Sequence, residues 1–161
     1  IVGNGLPNFT LGLNNTITAG KFNISAFLRG AFGHSLVNQN RVFYEDLNPG
    51  SIKAFNRVNT SLARKDVKDA RYSSLHVEKA DFLRLDNLQI GYDLPIKGAF
   101  KSANIYVAGN NLFTITNYTG VDPEVRFGDS EDNDNPLAPG IDRRTNYFTT
   151  RSFSLGVNLG F

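Results

Sequence analysis

The chain contains no cysteine and no methionine, carries little net charge, and has no long apolar run. Without Cys there is no disulfide framework and no thiolate metal site. A complete open reading frame starts with Met, whereas this chain starts with Ile1, so a processed product or a fragment is expected. No run of about 18 apolar residues is present that could cross a membrane as a helix, and no signal-peptide pattern is found. The formal net charge of +2 is too small to argue for a nucleic-acid partner. His34 and His76 are far apart in sequence and outside any ligand-spaced cluster, so isolated polar residues near a loop rim are expected, not a metal site. No Ser-His-Asp order or nucleophile motif is persuasive, so neither enzymatic activity nor a cofactor is expected.

What the chain does have is alternation. In Arg151–Phe161 the residues Phe153, Leu155, Val157, Leu159 and Phe161 fall on one side of a strand. Ser152, Ser154, Gly156, Asn158 and Gly160 fall on the other. A strand bulky and apolar on one face, small and polar on the other, suits a sheet with lipid outside and water inside. A tilted strand needs about 9–11 residues to cross a bilayer, which this segment supplies. Its terminal aromatic, Phe161, looks like the assembly signal of bacterial outer-membrane barrels. The composition agrees: 40% of residues are hydrophobic although the mean hydropathy is −0.27, as expected when only alternate residues face lipid. The competing reading is the last strand of a soluble β-sandwich, which alternates equally well.

Four more segments share the pattern. Ala103, Ile105 and Val107 alternate with Asn104, Tyr106, Ala108 and Asn110 within Ser102–Thr116. Leu88, Ile90, Tyr92 and Leu94 alternate with Gln89, Gly91 and Asp93. Phe22, Ile24, Ala26 and Leu28 alternate with Asn23, Ser25 and Arg29, with Phe27 as the exception. Phe9, Leu11, Leu13, Ile17 and Ala19 alternate with Thr10, Gly12, Asn14, Thr16 and Thr18, and Asn15 intrudes on the apolar face. Within Ala80–Leu94 the parity changes, since Leu83 and Leu85 are out of phase with Leu88. Either a β-bulge near Asp86-Asn87 adds a residue to the register, or Phe82–Asp86 stands above the bilayer. Charge favours the second, because Arg at mid-bilayer on the lipid face costs about 2–4 kcal/mol.

The connections alternate too. Ala19-Gly20-Lys21 reads as a tight hairpin and Pro95–Lys101 as a short link. Leu36–Ser73 and Asn117–Asn146 are long and polar, which is unusual in compact soluble domains. Short periplasmic turns and long extracellular loops are the layout of an outer-membrane barrel. The expected fold is therefore all-β: about five C-terminal strands of a large antiparallel transmembrane β-barrel, with two long extracellular loops. In the first loop, Ile52, Phe55, Val58 and Leu62 sit at near-helical spacing behind Ser51, which could cap a short helix.

Within Ala80–Pro95 the run F-L-R-L-D-N-L-Q-I-G-Y-D-L-P resembles the "FLRL-N---GY-LP" segment of SusC/RagA-type TonB-linked outer-membrane proteins of the Bacteroidetes. Ile105–Phe113 (I-Y-V-A-G-N-N-L-F) and Tyr118–Val125 (Y-T-G-V-D-P-E-V) are similar to that family's "G-NLF" and "Y-G-DPE" segments. Gly140-Ile141-Asp142 and Arg151–Gly156 continue the order. One departure is Tyr147-Phe148, where the family has Tyr-Pro. The resemblance implies the closing piece of a plugged barrel of about 22 strands, with the plug, the TonB-contacting segment and the earlier strands outside this sequence. It implies residence in the bacterial outer membrane and import of oligosaccharides or peptides. The implied partners are TonB, a SusD-like lipoprotein lid, outer-membrane lipid and the remainder of the barrel. A siderophore or vitamin receptor of the TonB-dependent class is an alternative, as is a soluble carbohydrate-binding module, which would fold free of detergent.

Few candidate site residues emerge. Asp129, Glu131, Asp132 and Asp134 have the oxygen-rich look of a Ca²⁺ loop but lack EF-hand order, so a solvated loop is preferred. Arg126, Arg143 and Arg144, with Asp129 and Asp132, are candidates to face substrate or lid, and pairing among themselves ranks first. Asn104, Tyr106 and Asn110 are expected to line the lumen, where Tyr could stack on a sugar ring.

Overall fold

The computed structural model describes residues 2–45, 57–64, 66, 71–96, 100–124 and 140–161. Its chain divides into two units, a membrane-type sheet and an assembly of the long connections.

The first unit is built on five antiparallel strands: β1 (Phe9–Ala19), β2 (Phe22–Phe32), β5 (Phe82–Asp93), β6 (Ser102–Thr116) and β8 (Ser152–Gly160). They neighbour one another in chain order, so the sheet is a meander with β1 and β8 at its edges. Each of the five segments expected from alternation is a strand, and each is about long enough to cross a bilayer when tilted. Gly20, at φ +62, turns β1 into β2, a conformation that glycine adopts without steric cost.

The β2–β5 register explains the parity change. Phe27 faces Asn87, but Leu28 faces Leu85, so Asp86 is an extra residue on β5. This β-bulge puts Leu83 and Leu85 on the same face as Leu88 and Ile90. Arg84 thereby stands on the polar face, opposite Arg29. The charge argument for moving Phe82–Asp86 out of the bilayer falls away, because the register shift alone keeps Arg84 off the apolar face. Phe27, the exception in β2, lies beside the bulge, and its ring occupies the space next to Gly12, 3.9 Å from where a Cβ would be. Nothing in the structure explains Asn15.

Among the described residues nothing covers the apolar face of the sheet. Leu155 is 74% exposed, and Ile115, Ile17 and Phe153 are likewise exposed. In a soluble sandwich these side chains would interdigitate with a second sheet and form the core. Phe22 and Tyr92 pair across strands on this face at 4.9 Å between ring centroids, and Phe100 and Phe161, just outside β6 and β8, lie 5.2 Å apart.

The second unit gathers the long connections, which carry short elements of their own. A three-stranded sheet orders β4 (Val77–Lys79), β3 (Ser35–Asn38) and β7 (Ile141–Asp142). Strand β3 pairs antiparallel with β4, and parallel with β7 through Val37↔Ile141 and Asn38↔Asp142. The two long connections are thus joined by main-chain hydrogen bonds. Helix α1 (Gln39–Tyr44) follows β3 directly, with the Asn38 side chain accepting from Arg41 N at its N-cap. Leu36, Ala80 and Tyr118 form its small apolar cluster. The helix expected after Ser51 lies mostly outside the described residues. Its described end is not helical, since Val58 N donates to Tyr44 O at 2.8 Å and Leu62 N donates to the Thr60 hydroxyl.

Candidate functional site

Each unit carries one polar array, and the two differ in kind. On the sheet, the polar face is a set of side-chain ladders. The Thr18 hydroxyl donates to Asn23 Oδ1 at 3.1 Å, and Asn23 Nδ2 donates to Asp93 Oδ2 at 2.9 Å. Asn104 Nδ2 donates to Asp93 Oδ1 at 2.7 Å, so one chain of bonds crosses four strands. A second ladder runs from Asn87 Nδ2 to Asn110 Oδ1 at 2.8 Å, and from Asn110 Nδ2 to Ser152 Oγ at 3.2 Å. Neutral amides repeated at alternate positions can bond across strands while leaving lone pairs and N–H groups for water. A third group lies at the bulge. Arg29 pairs with Asp86, Arg84 Nε donates to Thr114 Oγ1 at 2.9 Å, and both guanidinium groups lie over the Phe82 ring.

Asn104, Tyr106 and Asn110, the expected lumen residues, share this face. They are not equally free to receive a ligand. Tyr106 is half-buried, lying over Gly156, where any Cβ would collide with the ring. Asn104 fills the space left by Gly91, 3.1 Å from where a Cβ would be. On β8, Phe153, Leu155, Val157 and Leu159 lie exposed on the opposite face, and Phe161, one residue beyond the strand, is exposed too.

In the second unit the array is buried and ionic. Asp142 is fully buried and accepts from the Tyr118 hydroxyl at 2.7 Å, from Val121 N at 3.0 Å and from Asn146 Nδ2 at 2.9 Å. Burial, followed by the Asp142 charge, pushes the Tyr118 phenol well above its usual range. Next to it, Arg41 donates from Nε to Glu45 at 2.7 Å and from Nη1 to Glu78 at 2.9 Å. Glu78 also accepts from Asn38 Nδ2, Thr119 N and Thr119 Oγ1. Burial raises the Glu78 carboxyl, but its donors, led by Arg41, outweigh that and hold it below the usual carboxylate range. His76 is held below its usual value by burial first and the Arg41 charge second.

Tyr118 and Val121 of one motif therefore meet Asp142 of the other. Gly120 is required because the Tyr118 ring lies against it. Gly140, at φ +90, would place a Cβ 2.7 Å from Gly5 Cα, while its carbonyl accepts from Val37 N. This is an arrangement for holding two connections together. Sequence reasoning missed it, although the motif spacing Tyr118, Gly120, Gly140, Asp142 was the signal that could have found it.

His34 and His76 are both buried, at 5% exposure. His34 Nε2 donates to Pro123 O at 3.0 Å. Of the loop candidates, Arg126, Asp129, Glu131, Asp132 and Asp134 lie outside the described residues. Arg144 is exposed, with its Cζ 4.1 Å from the Phe43 ring centroid and its N donating to Gln39 Oε1 at 2.9 Å. Arg143 accepts at its carbonyl from Asn146 N.

Comparison with known proteins fits this geometry. No protein-family model matches the chain. Over its whole length it is 29% identical to TonB-dependent receptor P3 and 28% identical to TonB-dependent receptor P39, both of Formosa agariphila. Its fold overlays the RagAB peptide importer in the closed-closed state with a TM-score of 0.75, covering 98% of this chain at 22% identity. The RagAB peptide transporter gives a TM-score of 0.72 at 24% identity. The chain matches a segment of a SusC/RagA-type TonB-dependent receptor barrel. It spans 17% of the length of the two Formosa receptors and 18% of the closed-closed importer chain. The two-faced sheet has the form of a barrel wall, and the ionic array lies in the connections between its strands.

Proposed function

We propose that this chain is the closing part of an outer-membrane TonB-dependent transporter that imports oligosaccharides or peptides with a SusD-like surface lipoprotein. The observation that carries the reading is the five-stranded sheet, with an uncovered apolar face and hydrogen-bonded ladders on the other. Such a sheet is stable only where lipid meets one face and water or protein the other, and its two free edges must be paired by further strands. The ordered motifs and the RagAB fold support a nutrient importer over a siderophore receptor. In this reading the strand ending at Phe161 carries the assembly signal, the 36–73 and 117–146 connections lie outside the cell, and Asn104, Tyr106 and Asn110 face the lumen. The loop residues Arg126, Asp129, Asp132, Arg143 and Arg144 face the substrate or the lid.

The test is energised uptake by cells carrying the full-length transporter, using fluorescent oligopeptides and oligosaccharides of matched size. Uptake of one class should vanish when TonB is removed and fall sharply without the neighbouring lipoprotein. Uptake of both classes that persists in a strain lacking the transporter contradicts the proposal.

A further inference from the structure

We propose that Arg144 and Tyr72, coupled through Gln39, form a binding site for a carboxylate-bearing ligand, which rests on the transporter reading for the ligand's delivery. Gln39, the first residue of α1, uses both ends of its amide. Its Oε1 accepts from Arg144 N at 2.9 Å, and its Nε2 donates to the Tyr72 hydroxyl oxygen at 2.6 Å. One amide thus brings together residues from the first long connection and from the end of the second.

The chemistry left over is one-sided. The Tyr72 hydroxyl accepts from Gln39, so its own proton remains to be donated, and among the described residues it finds no acceptor. The Arg144 guanidinium carbon lies 4.1 Å from the Phe43 ring centroid, and among the described residues no oxygen accepts from its N–H groups. Among the described residues no carboxylate forms an ion pair with Arg144, whereas Arg41 in the same unit holds two. Arg144 is exposed and Tyr72 is 57% exposed, so both groups face solvent. The Gln39 acceptor Oε1 is already taken by Arg144 N. A fork of N–H donors, one O–H donor, a positive charge and two aromatic surfaces match a carboxylate attached to a side chain or a sugar ring. The carboxylate can be the C-terminus of a peptide or the acid group of a hexuronic sugar.

The experiment measures equilibrium binding to the purified full-length transporter by fluorescence anisotropy. The probes are a labelled tetrapeptide with a free or an amidated C-terminus, and labelled tri-galacturonate as the free acid or the methyl ester. One free acid should bind about tenfold or more tightly than its neutral counterpart, the usual return of a charge-assisted hydrogen-bond pair. Whichever pair shows the larger ratio identifies the source. Arg144→Gln should abolish the ratio, Arg144→Lys should keep part of it, and Tyr72→Phe should reduce it several-fold. Three results overturn the site: an unchanged ratio in Arg144→Gln, no ratio with either pair in the wild type, or inorganic phosphate competing better than acetate. Binding in detergent needs no energy source, so intact discrimination with absent uptake counts against the transport reading and leaves the site standing.

Discussion

Replacing Tyr118 by Phe removes one hydroxyl and nothing else from the buried array of the connecting unit. That hydroxyl donates to Asp142 at 2.7 Å, and Asp142 has no exposure to water, so no solvent bond replaces it. A hydrogen bond to a charged buried acceptor is worth about 1.5–3 kcal/mol. Taking about 2 kcal/mol, the equilibrium for opening this unit should shift by about thirtyfold. The loss should be felt at amides tied to the same array. Val121 N donates to Asp142, and Val37 N donates to Gly140 O at the β3–β7 junction. Native-state hydrogen exchange of the full-length protein should therefore show both amides exchanging about thirtyfold faster in Tyr118→Phe. Amides in the middle of β6, such as Tyr106, should keep their wild-type rates. Val121 and Val37 rates within threefold of wild type would refute the view that Asp142 holds the two connections together.

Acid should loosen the same unit. Burial and Arg41 hold His76 below its usual value in the folded unit, so the unfolded segment takes up its proton at higher pH, below about 6.5, than the folded one does. Its contribution is complete above that pH and declines below it, and the Glu78 contribution then fades as pH falls from about 4.5 through its depressed folded value. The urea midpoint read from a fluorophore on Ser61→Cys should drop between pH 7 and pH 5; a flat or rising midpoint contradicts this. At the C-terminal strand, Phe161→Ser should lower the yield of heat-modifiable folded barrel well below that of Asn158→Ser, since only Phe161 lies on the apolar face and packs on Phe100. Equal yields count against the assembly role of that face.

The sheet was legible because its strands are 9 to 15 residues long and alternate on one face. The parity break at Asp86 was visible too, and only the choice between its two explanations needed the β2–β5 register. The connecting unit was illegible for the opposite reason. Its strands have four, three and two residues, too short for any periodicity to show. It is held by side chains that look like loop composition: Asn38, Glu78, Thr119, Asp142. Burial of His34 and His76 could not be read either, since it depends on Pro123 and Arg41 arriving from elsewhere in the chain. The Arg144–Phe43 contact likewise joins residues that no local pattern links.

The claim on which everything else depends is that alternate residues of these strands meet lipid and water. Nitroxide labels placed singly at Leu155, Val157 and Leu159, and at Ser154 and Asn158, test it in the full-length protein in membranes, on a background free of other cysteines. This chain contributes none. Relaxation by oxygen reports lipid contact, and relaxation by a water-soluble nickel chelate reports aqueous contact. The account predicts oxygen-dominated relaxation at 155, 157 and 159, and lower oxygen accessibility at 154 and 158, a period of two along the strand. Equal accessibility at all five positions, or the reverse alternation, would contradict it.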